Sequence, residues 1–147
     1  MKKIYFDMDG TIADLYSVEG WLDSIVKNQT KPYREAKPLL DMRTFGKEIK
    51  RLQSVGYSVG IISWTAKGNN QEYNVKIKET KIKWLQRHLG SVRFDEIHIV
   101  EYGTPKQTIG EGILFDDEKQ NRTEWDKKDG NLAFDVNNIL HILENLV

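Results

Sequence analysis

Cysteine is absent from the 147 residues of the chain. Its absence excludes a disulfide framework, a thiol nucleophile and a thiolate-bound zinc or iron–sulfur site. The chain also lacks a net charge, because 22 Lys and Arg residues balance 22 Asp and Glu residues. That balance argues against binding of nucleic acid or an anionic membrane through overall charge.

Long hydrophobic runs are also missing. The sequence contains no uninterrupted run of about 18 apolar residues, so no membrane-spanning helix is predicted. Asp7 interrupts the N-terminal Ile-Tyr-Phe run too early for the apolar region of a signal peptide. We therefore expect a cytoplasmic protein with no membrane partner, and the length predicts a single domain, 1–147.

Short apolar segments alternate with amphipathic ones along the chain. The predicted strands are Lys3–Met8, Tyr57–Ser63, Glu96–Val100, Gly112–Phe115 and Leu132–Phe134. The predicted helices are Met42–Val55, Gln71–Leu89 and Val136–Leu146, with Asp41 and Asp135 as N-caps of the first and the last. This alternation predicts an α/β fold with a five-stranded parallel sheet covered by helices on both faces.

Two segments stand outside the alternation. Residues Ser17–Leu40 carry a short helical pattern and a loop with two prolines, which predicts a helical insertion after the first strand. Residues Glu118–Gly130 are mixed in charge and are predicted to form a mobile loop.

Two acidic pairs follow predicted strands directly. Asp7 and Asp9 end the first strand, before Gly10 and Thr11, and Asp116-Asp117 ends the strand after Gly112. The carboxyl ends of parallel strands meet at one edge of a sheet, where open α/β sheets bind ligands. Clustered carboxylates repel one another unless a cation neutralises them, and hard oxygen ligands suit Mg²⁺. The pairs therefore predict a magnesium site.

A hydroxyl and an ammonium occupy matching positions. Ser63 ends the strand that begins at Tyr57, and Lys106 follows the strand Glu96–Val100 after a short loop. Each is unremarkable alone, as a turn residue and one of many lysines. Together at the sheet edge they can hold the oxygens of a phosphoryl group.

The ordered set of Asp7-Met8-Asp9-Gly10-Thr11, Ser63, Lys106 and Asp116-Asp117 resembles the four motifs of the haloacid dehalogenase (HAD) superfamily. Residues Thr80–Asn121 are similar in spacing to the small 5′(3′)-deoxyribonucleotidase branch, and short phage-encoded proteins of this kind are similar in length. The resemblance implies a three-layer Rossmann-like fold and a magnesium-dependent phosphatase.

The resemblance also implies a role for each motif residue. Asp7 would be the nucleophile that forms an aspartyl-phosphate, and Asp9 the general acid and then the general base. Ser63 and Lys106 would orient the phosphoryl group. The metal would be bound by Asp7, the backbone carbonyl of Asp9 and Asp116, while Asp117 would assist through a water or a hydrogen bond.

The insertion together with its flanking residues spans 15–41 and lies where many HAD phosphatases carry a cap that selects the substrate. Because it is short, we expect an open site and a small phosphomonoester, with a nucleotide preferred. The predicted substrate-binding residues are Gly10, Thr11, Trp64 and Thr65. Trp64 either stacks a base or packs under the insertion.

Three alternatives stay open. An open site also suits the 3′-phosphate end of a polynucleotide, which would make a nucleic-acid end the partner. A HAD scaffold kept for binding or regulation, with little turnover, is another. A receiver-type phosphoacceptor module is disfavoured because its acidic residues follow a different strand order. The sequence does not indicate the oligomeric state.

The segment from Lys67 to Arg87 holds an excess of basic residues over Glu72 and Glu79. The simpler interpretation is a solvated helix face that includes Lys81. The alternative is that these lysines steer an anionic substrate toward the site.

Overall fold

The structure, a computed structural model, describes residues 2–68 and 70–147. Its strands are β1 (Lys2–Phe6), β2 (Ala13–Asp14), β3 (Lys37–Pro38), β4 (Tyr57–Trp64), β5 (Glu96–Val100), β6 (Ile113–Phe115) and β7 (Leu132–Phe134). Its helices are α1 (Trp21–Val26), α2 (Lys31–Glu35), α3 (Met42–Ser54), α4 (Gln71–His88), α5 (Lys119–Asp126) and α6 (Ile139–Glu144). Short 3₁₀ turns cover Leu15–Ser17, Lys106–Thr108 and Val136–Asn138.

Five strands form one parallel sheet in the order β5-β4-β1-β6-β7. The chain moves outward from β1 through β4 to β5 and then crosses to β6 on the other side of β1. Strand order therefore reverses between β1 and β6. A crevice opens at such a reversal, outside the carboxyl ends of the strands, and it is where ligands bind in this class of sheet.

The two faces of the sheet carry separate cores. Side chains alternate along β1, so Ile4 and Phe6 pack on the face covered by α3, α6 and the C-terminal half of α4. Tyr5 points to the opposite face and meets Trp125 of α5 with ring centroids 6.0 Å apart. The α/β fold with a five-stranded parallel sheet, expected from the sequence, is confirmed.

The insertion forms a small unit beside the sheet edge. β2 pairs antiparallel with β3, which joins the two ends of the segment. Between them, α1 and α2 pack against the N-terminal half of α4 through a small core. Its buried members include Leu15, Tyr33 and Ile77.

The prediction of a mobile loop over Glu118–Gly130 is wrong, because residues Lys119–Asp126 form α5. Trp125 is fully buried and its Nε1 donates to the Gly112 carbonyl at 2.9 Å. Trp125 is the buried apolar anchor of this otherwise polar helix. Across residues 2–68 and 70–147, no helix has both the length and the apolar character needed to cross a bilayer.

Candidate active site

Asp7 lies immediately after β1, where the chain leaves the sheet in a tight loop. The amides of Thr11, Ile12 and Ala13 all donate to the Met8 carbonyl, at 2.9–3.0 Å. Gly10 adopts a φ of +80°, which favours glycine, and a Cβ there would collide with the Asp117 carboxylate. The loop can therefore close against the acidic residues only with glycine at position 10.

Three carboxyl groups converge at the reversal of strand order. Oxygens of Asp7, Asp116 and Asp117 lie within 4.8 Å of one another. Thr11 joins them: its hydroxyl donates to Asp7 Oδ2 at 3.1 Å, and its oxygen accepts from the Asp117 amide at 3.2 Å. Hard oxygen donors at this spacing fit Mg²⁺, which needs few protein ligands and keeps several waters.

The protonation of this cluster also reflects its crowding. Burial, followed by the charge of Asp7, raises the pKa of Asp117 to about 8. The same causes raise the pKa of Asp116 to about 6, although Lys106 opposes the shift. When no cation is bound, protonation of these carboxyl groups reduces the repulsion between their negative charges. A divalent ion would replace those protons with positive charge.

Lys106 connects the two sides of the cluster. Its buried ammonium donates to Asp7 Oδ1 at 3.0 Å and to Asp116 Oδ2 at 2.7 Å. Burial lowers the pKa of Lys106, but the charges of Asp7 and Asp116 outweigh that effect and raise it above its ordinary value. Lys106 therefore stays charged beside Asp7.

Asp116 is fixed by α5, the helix that the sequence analysis missed. Its Oδ1 accepts from the Glu118 amide at 2.9 Å, and its Oδ2 accepts from Asn121 Nδ2 at 3.2 Å. Its backbone carbonyl accepts from Arg122 Nη1 at 3.0 Å. These contacts leave the fully buried carboxylate in one orientation.

Asp9 faces a different partner from the acidic cluster. Its Oδ2 accepts from the Lys81 ammonium at 2.8 Å. The same ammonium donates to Ser63 Oγ and to the Trp64 carbonyl, both at 2.7 Å. Burial raises the pKa of Asp9 and the charge of Lys81 partly opposes this shift.

A cavity of about 260 Å³ opens over these groups. Two aromatic pairs line it: Tyr16 with Trp21, and Trp64 with Tyr102, at centroid distances of 4.9 and 5.0 Å. Apolar residues of the insertion complete one wall, namely Leu15, Leu22 and Ile25. The cavity is thus charged at its base and aromatic at its sides.

Thr65 also lines this cavity. Its Oγ1 is buried and, among the residues that the structure describes, has no hydrogen-bond partner. Buried hydroxyls without a partner are uncommon in folded proteins. A bound molecule could provide the missing contact. Trp64 is held at the same rim by its Nε1, which donates to the Thr104 carbonyl at 2.9 Å.

The structure brings together the motif residues that the sequence analysis selected. Asp7, Lys106, Asp116 and Asp117 share one cluster, while Asp9 and Ser63 meet through Lys81. The cavity lining includes Trp64 and Thr65 but not Gly10 or Thr11, which build the loop beneath Asp117.

Lys81 is a site residue that the sequence analysis missed. It is 1% exposed, so its assignment to a solvated helix face is wrong. A signal was available, because position 81 lies four residues after Ile77 and three before Trp84, on the buried stripe of α4.

Comparison with solved structures shows similarity along the whole chain. The D,D-heptose 1,7-bisphosphate phosphatase from Burkholderia thailandensis matches with a TM-score of 0.58 at 12% identity, covering 99% of this chain and 100% of that chain. The B. bronchiseptica enzyme of the same name, complexed with magnesium and phosphate, matches with a TM-score of 0.57 at 11% identity and 98% coverage of both chains. No protein-family model and no curated protein matches the sequence. These similarities show that the chain shares the Rossmann-like α/β fold of the two phosphatases.

Proposed function

We propose that this protein is a Mg²⁺-dependent phosphomonoester hydrolase that acts through an aspartyl-phosphate on Asp7. The observation that carries the proposal is the contact of Lys106 with both Asp7 and Asp116 at the strand-order reversal. Phosphoryl transfer needs a nucleophile in line with the leaving group, a divalent cation and positive charge on the equatorial oxygens. The two similar structures, phosphatases of which one is complexed with magnesium and phosphate, support the same chemistry.

The reaction has two balanced steps. An Asp7 carboxylate oxygen bonds to phosphorus, the ester P–O bond breaks, and Asp9 gives its proton to the departing oxygen. In the second step a water gives its proton to Asp9 and bonds to phosphorus. The bond between phosphorus and Asp7 then breaks and phosphate is released. Asp9 thus returns to its starting state.

The remaining residues bind and orient. Lys106 and Ser63 hold phosphoryl oxygens so that the oxygen of Asp7 and the leaving group stay in line. Asp7, Asp116 and Asp117 would hold Mg²⁺, assisted by the backbone carbonyl of Asp9. The bound ion would neutralise charge on the transferring phosphoryl group.

The chemistry is tested by measuring phosphate release from an aryl phosphate with and without Mg²⁺. We expect Asp7→Asn to abolish turnover because the amide cannot form the mixed anhydride. Asp129→Asn, a matched change at an exposed turn residue, should keep wild-type activity. Equal turnover in Asp7→Asn and wild type would refute the mechanism. Binding of phosphate by the wild type without turnover would favour a binding or regulatory scaffold instead.

We further propose a nucleotide as the substrate. The support is the cavity wall, where two aromatic pairs rise beside the phosphate site. Aromatic rings stack on bases, at about 1–3 kcal/mol per base. The cavity, at about 260 Å³, lies near the lower end of the range for small-molecule sites, about 300–1,000 Å³.

A panel of substrates tests this choice. We expect kcat/KM for nucleoside 5′- or 3′-monophosphates to exceed that for glycerol phosphate and hexose phosphates at least tenfold. A preference for sugar phosphates would contradict it. An oligonucleotide with a 3′-phosphate belongs in the same panel, because a preference for it would identify the partner as a nucleic-acid end.

A further inference from the structure

Lys81 is a buried lysine whose contacts connect two functional side chains. Its ammonium donates to Asp9 Oδ2, Ser63 Oγ and the Trp64 carbonyl, at 2.7–2.8 Å. An ammonium has three N–H donors, so these contacts use all of them. The group is therefore fixed in one position, between β1 and β4 at the carboxyl end of the sheet.

Packing alone does not account for a lysine at this position. The buried stripe of α4 runs through Tyr73, Ile77 and Trp84, so an apolar residue would fit the pattern. Burial of an ammonium is unfavourable, and apolar replacements of buried ion pairs are often neutral or stabilising. The advantage of Lys81 therefore lies in the site that it contacts.

We propose that Lys81 is a positioning residue for the phosphatase reaction, an inference that rests on the proposed function. Holding Asp9 by Oδ2 leaves Oδ1 as the oxygen that exchanges a proton with the leaving group and with water. Donating to Ser63 Oγ leaves the hydroxyl hydrogen of Ser63 free to bind a phosphoryl oxygen. Lys81 thus fixes the distance between the proton donor and a phosphate-binding group.

Lys81 and Lys106 divide the acidic site between them. The Lys106 ammonium forms ion pairs with Asp7 and Asp116, whereas the Lys81 ammonium forms one with Asp9. Within residues 2–68 and 70–147, no ion pair joins Lys81 to the metal-binding cluster. Loss of Lys81 should therefore disturb proton transfer while leaving metal binding intact.

The experiment compares Lys81→Met with wild type on two substrates. An alkyl phosphate needs a proton on its leaving oxygen, whereas 4-nitrophenyl phosphate has a leaving group that departs without one. General acid catalysis contributes about 10²–10⁴-fold, so we expect kcat/KM, which reports the first step alone, to fall about a hundredfold for the alkyl ester. For the nitrophenyl ester we expect less than a tenfold fall. Mg²⁺ affinity measured by calorimetry should match wild type.

Two further variants complete the test. Lys83→Met removes an exposed lysine of the same helix and should leave both rates unchanged. In an Asp9→Asn background, Lys81→Met should cause little further loss with the alkyl ester, because its partner is already gone. A fully additive loss, or equal losses on both esters, would overturn the proposal.

Lys81→Arg covers the case in which Lys81→Met does not fold. Arginine keeps the positive charge, but its planar fork cannot reproduce three contacts from a single nitrogen. We again expect a larger loss with the alkyl ester than with the nitrophenyl ester. Wild-type rates on both esters would overturn the proposal. If Asp7→Asn retained turnover, the proposed function itself would fail, whatever the result at Lys81.

Discussion

At the scale of single residues, the site depends on small groups as much as on charged ones. Because Gly10 has no side chain, the Asp117 carboxylate can pack directly against the loop after β1. Thr11 contributes one hydroxyl that contacts both Asp7 and Asp117. These two residues shape the acidic cluster without lining the cavity above it.

We predict that Gly10→Ala will reduce both stability and activity. An L-residue in the left-handed region costs about 1–2 kcal/mol, and the new Cβ would also displace the Asp117 carboxylate. Gly20→Ala is the matched control, because Gly20 has a φ of +70° but open space around it. Both variants should lose stability in thermal unfolding, and Gly10→Ala should lose more because of the collision with Asp117. Loss of kcat/KM and of Mg²⁺ affinity should be confined to Gly10→Ala, and a fully active Gly10→Ala would contradict this account.

At the scale of elements, the sequence predicted the sheet well. The segments that contain β1, β4, β5, β6 and β7 were identified to within one or two residues at each end. Asp41 caps α3 as predicted, accepting from the Thr44 amide at 3.1 Å. Apolar alternation and capping are local signals, so one sequence was enough to find them.

The failures occurred where a contact between distant residues decides the outcome. α5 has little apolar character, and its buried anchor is Trp125, whose partner Gly112 lies just before β6, 13 residues earlier in the chain. Lys81 resembled its charged neighbours on α4 until the fold placed Asp9 beside it, 72 positions away in sequence. The predicted Val136–Leu146 helix is shorter than expected: a 3₁₀ turn precedes α6, with Asp135 accepting from the Val136 amide.

Among the helices of the described residues, α1 of the insertion has the fewest buried side chains. None of the six residues of α1 is buried, and its N-cap is Gly20, which supplies no side-chain hydrogen bond. Four residues of α3 are buried and its N-cap is Asp41. Helices with few buried contacts open locally at low free energy.

We therefore predict faster amide hydrogen exchange in α1 than in α3. Trp21, Leu22 and Ile25 line the cavity, so a bound nucleotide should slow exchange in α1 specifically. Exchange followed by mass spectrometry, with and without a nucleoside monophosphate in the inactive Asp7→Asn variant, measures both effects. Equal protection of the two helices without ligand would contradict the prediction.

At the scale of the whole molecule, a net charge of zero conceals local separation of charge. Four carboxyl groups surround two buried ammonium groups at one sheet edge, namely Asp7, Asp9, Asp116, Asp117, Lys81 and Lys106. If all were ionised, two negative charges would remain. A divalent cation would neutralise that excess.

The pH dependence of stability should reveal this excess. The pKa of Asp117 in the folded protein, about 8, lies above its ordinary value of 3.8, so the folded state binds more protons than the unfolded state between these values. Without Mg²⁺, the contribution of Asp117 to stability should therefore be largest at and below about pH 4, and it should fall as the pH rises toward 8. Scanning calorimetry from pH 5 to 8.5 measures the decline.

Added Mg²⁺ should counteract the decline, because the metal binds the deprotonated carboxylates. We expect a larger increase of Tm at pH 8 than at pH 5.5. Asp117→Asn should flatten the metal-free profile, whereas Asp129→Asn should keep the wild-type slope. Identical slopes in wild type and Asp117→Asn would show that the cluster does not cause the effect.

The pairing of β2 with β3 has a consequence for how such a protein can be altered. Ala13 lies opposite Pro38, and the Leu39 amide donates to the Ile12 carbonyl at 2.9 Å, so the insertion leaves and rejoins the core at almost one point. The entropy of closing a loop grows only slowly with its length. The segment between these two strands can therefore be exchanged for a longer or shorter one without moving Asp7. This junction is the natural place to graft a different segment over the cavity.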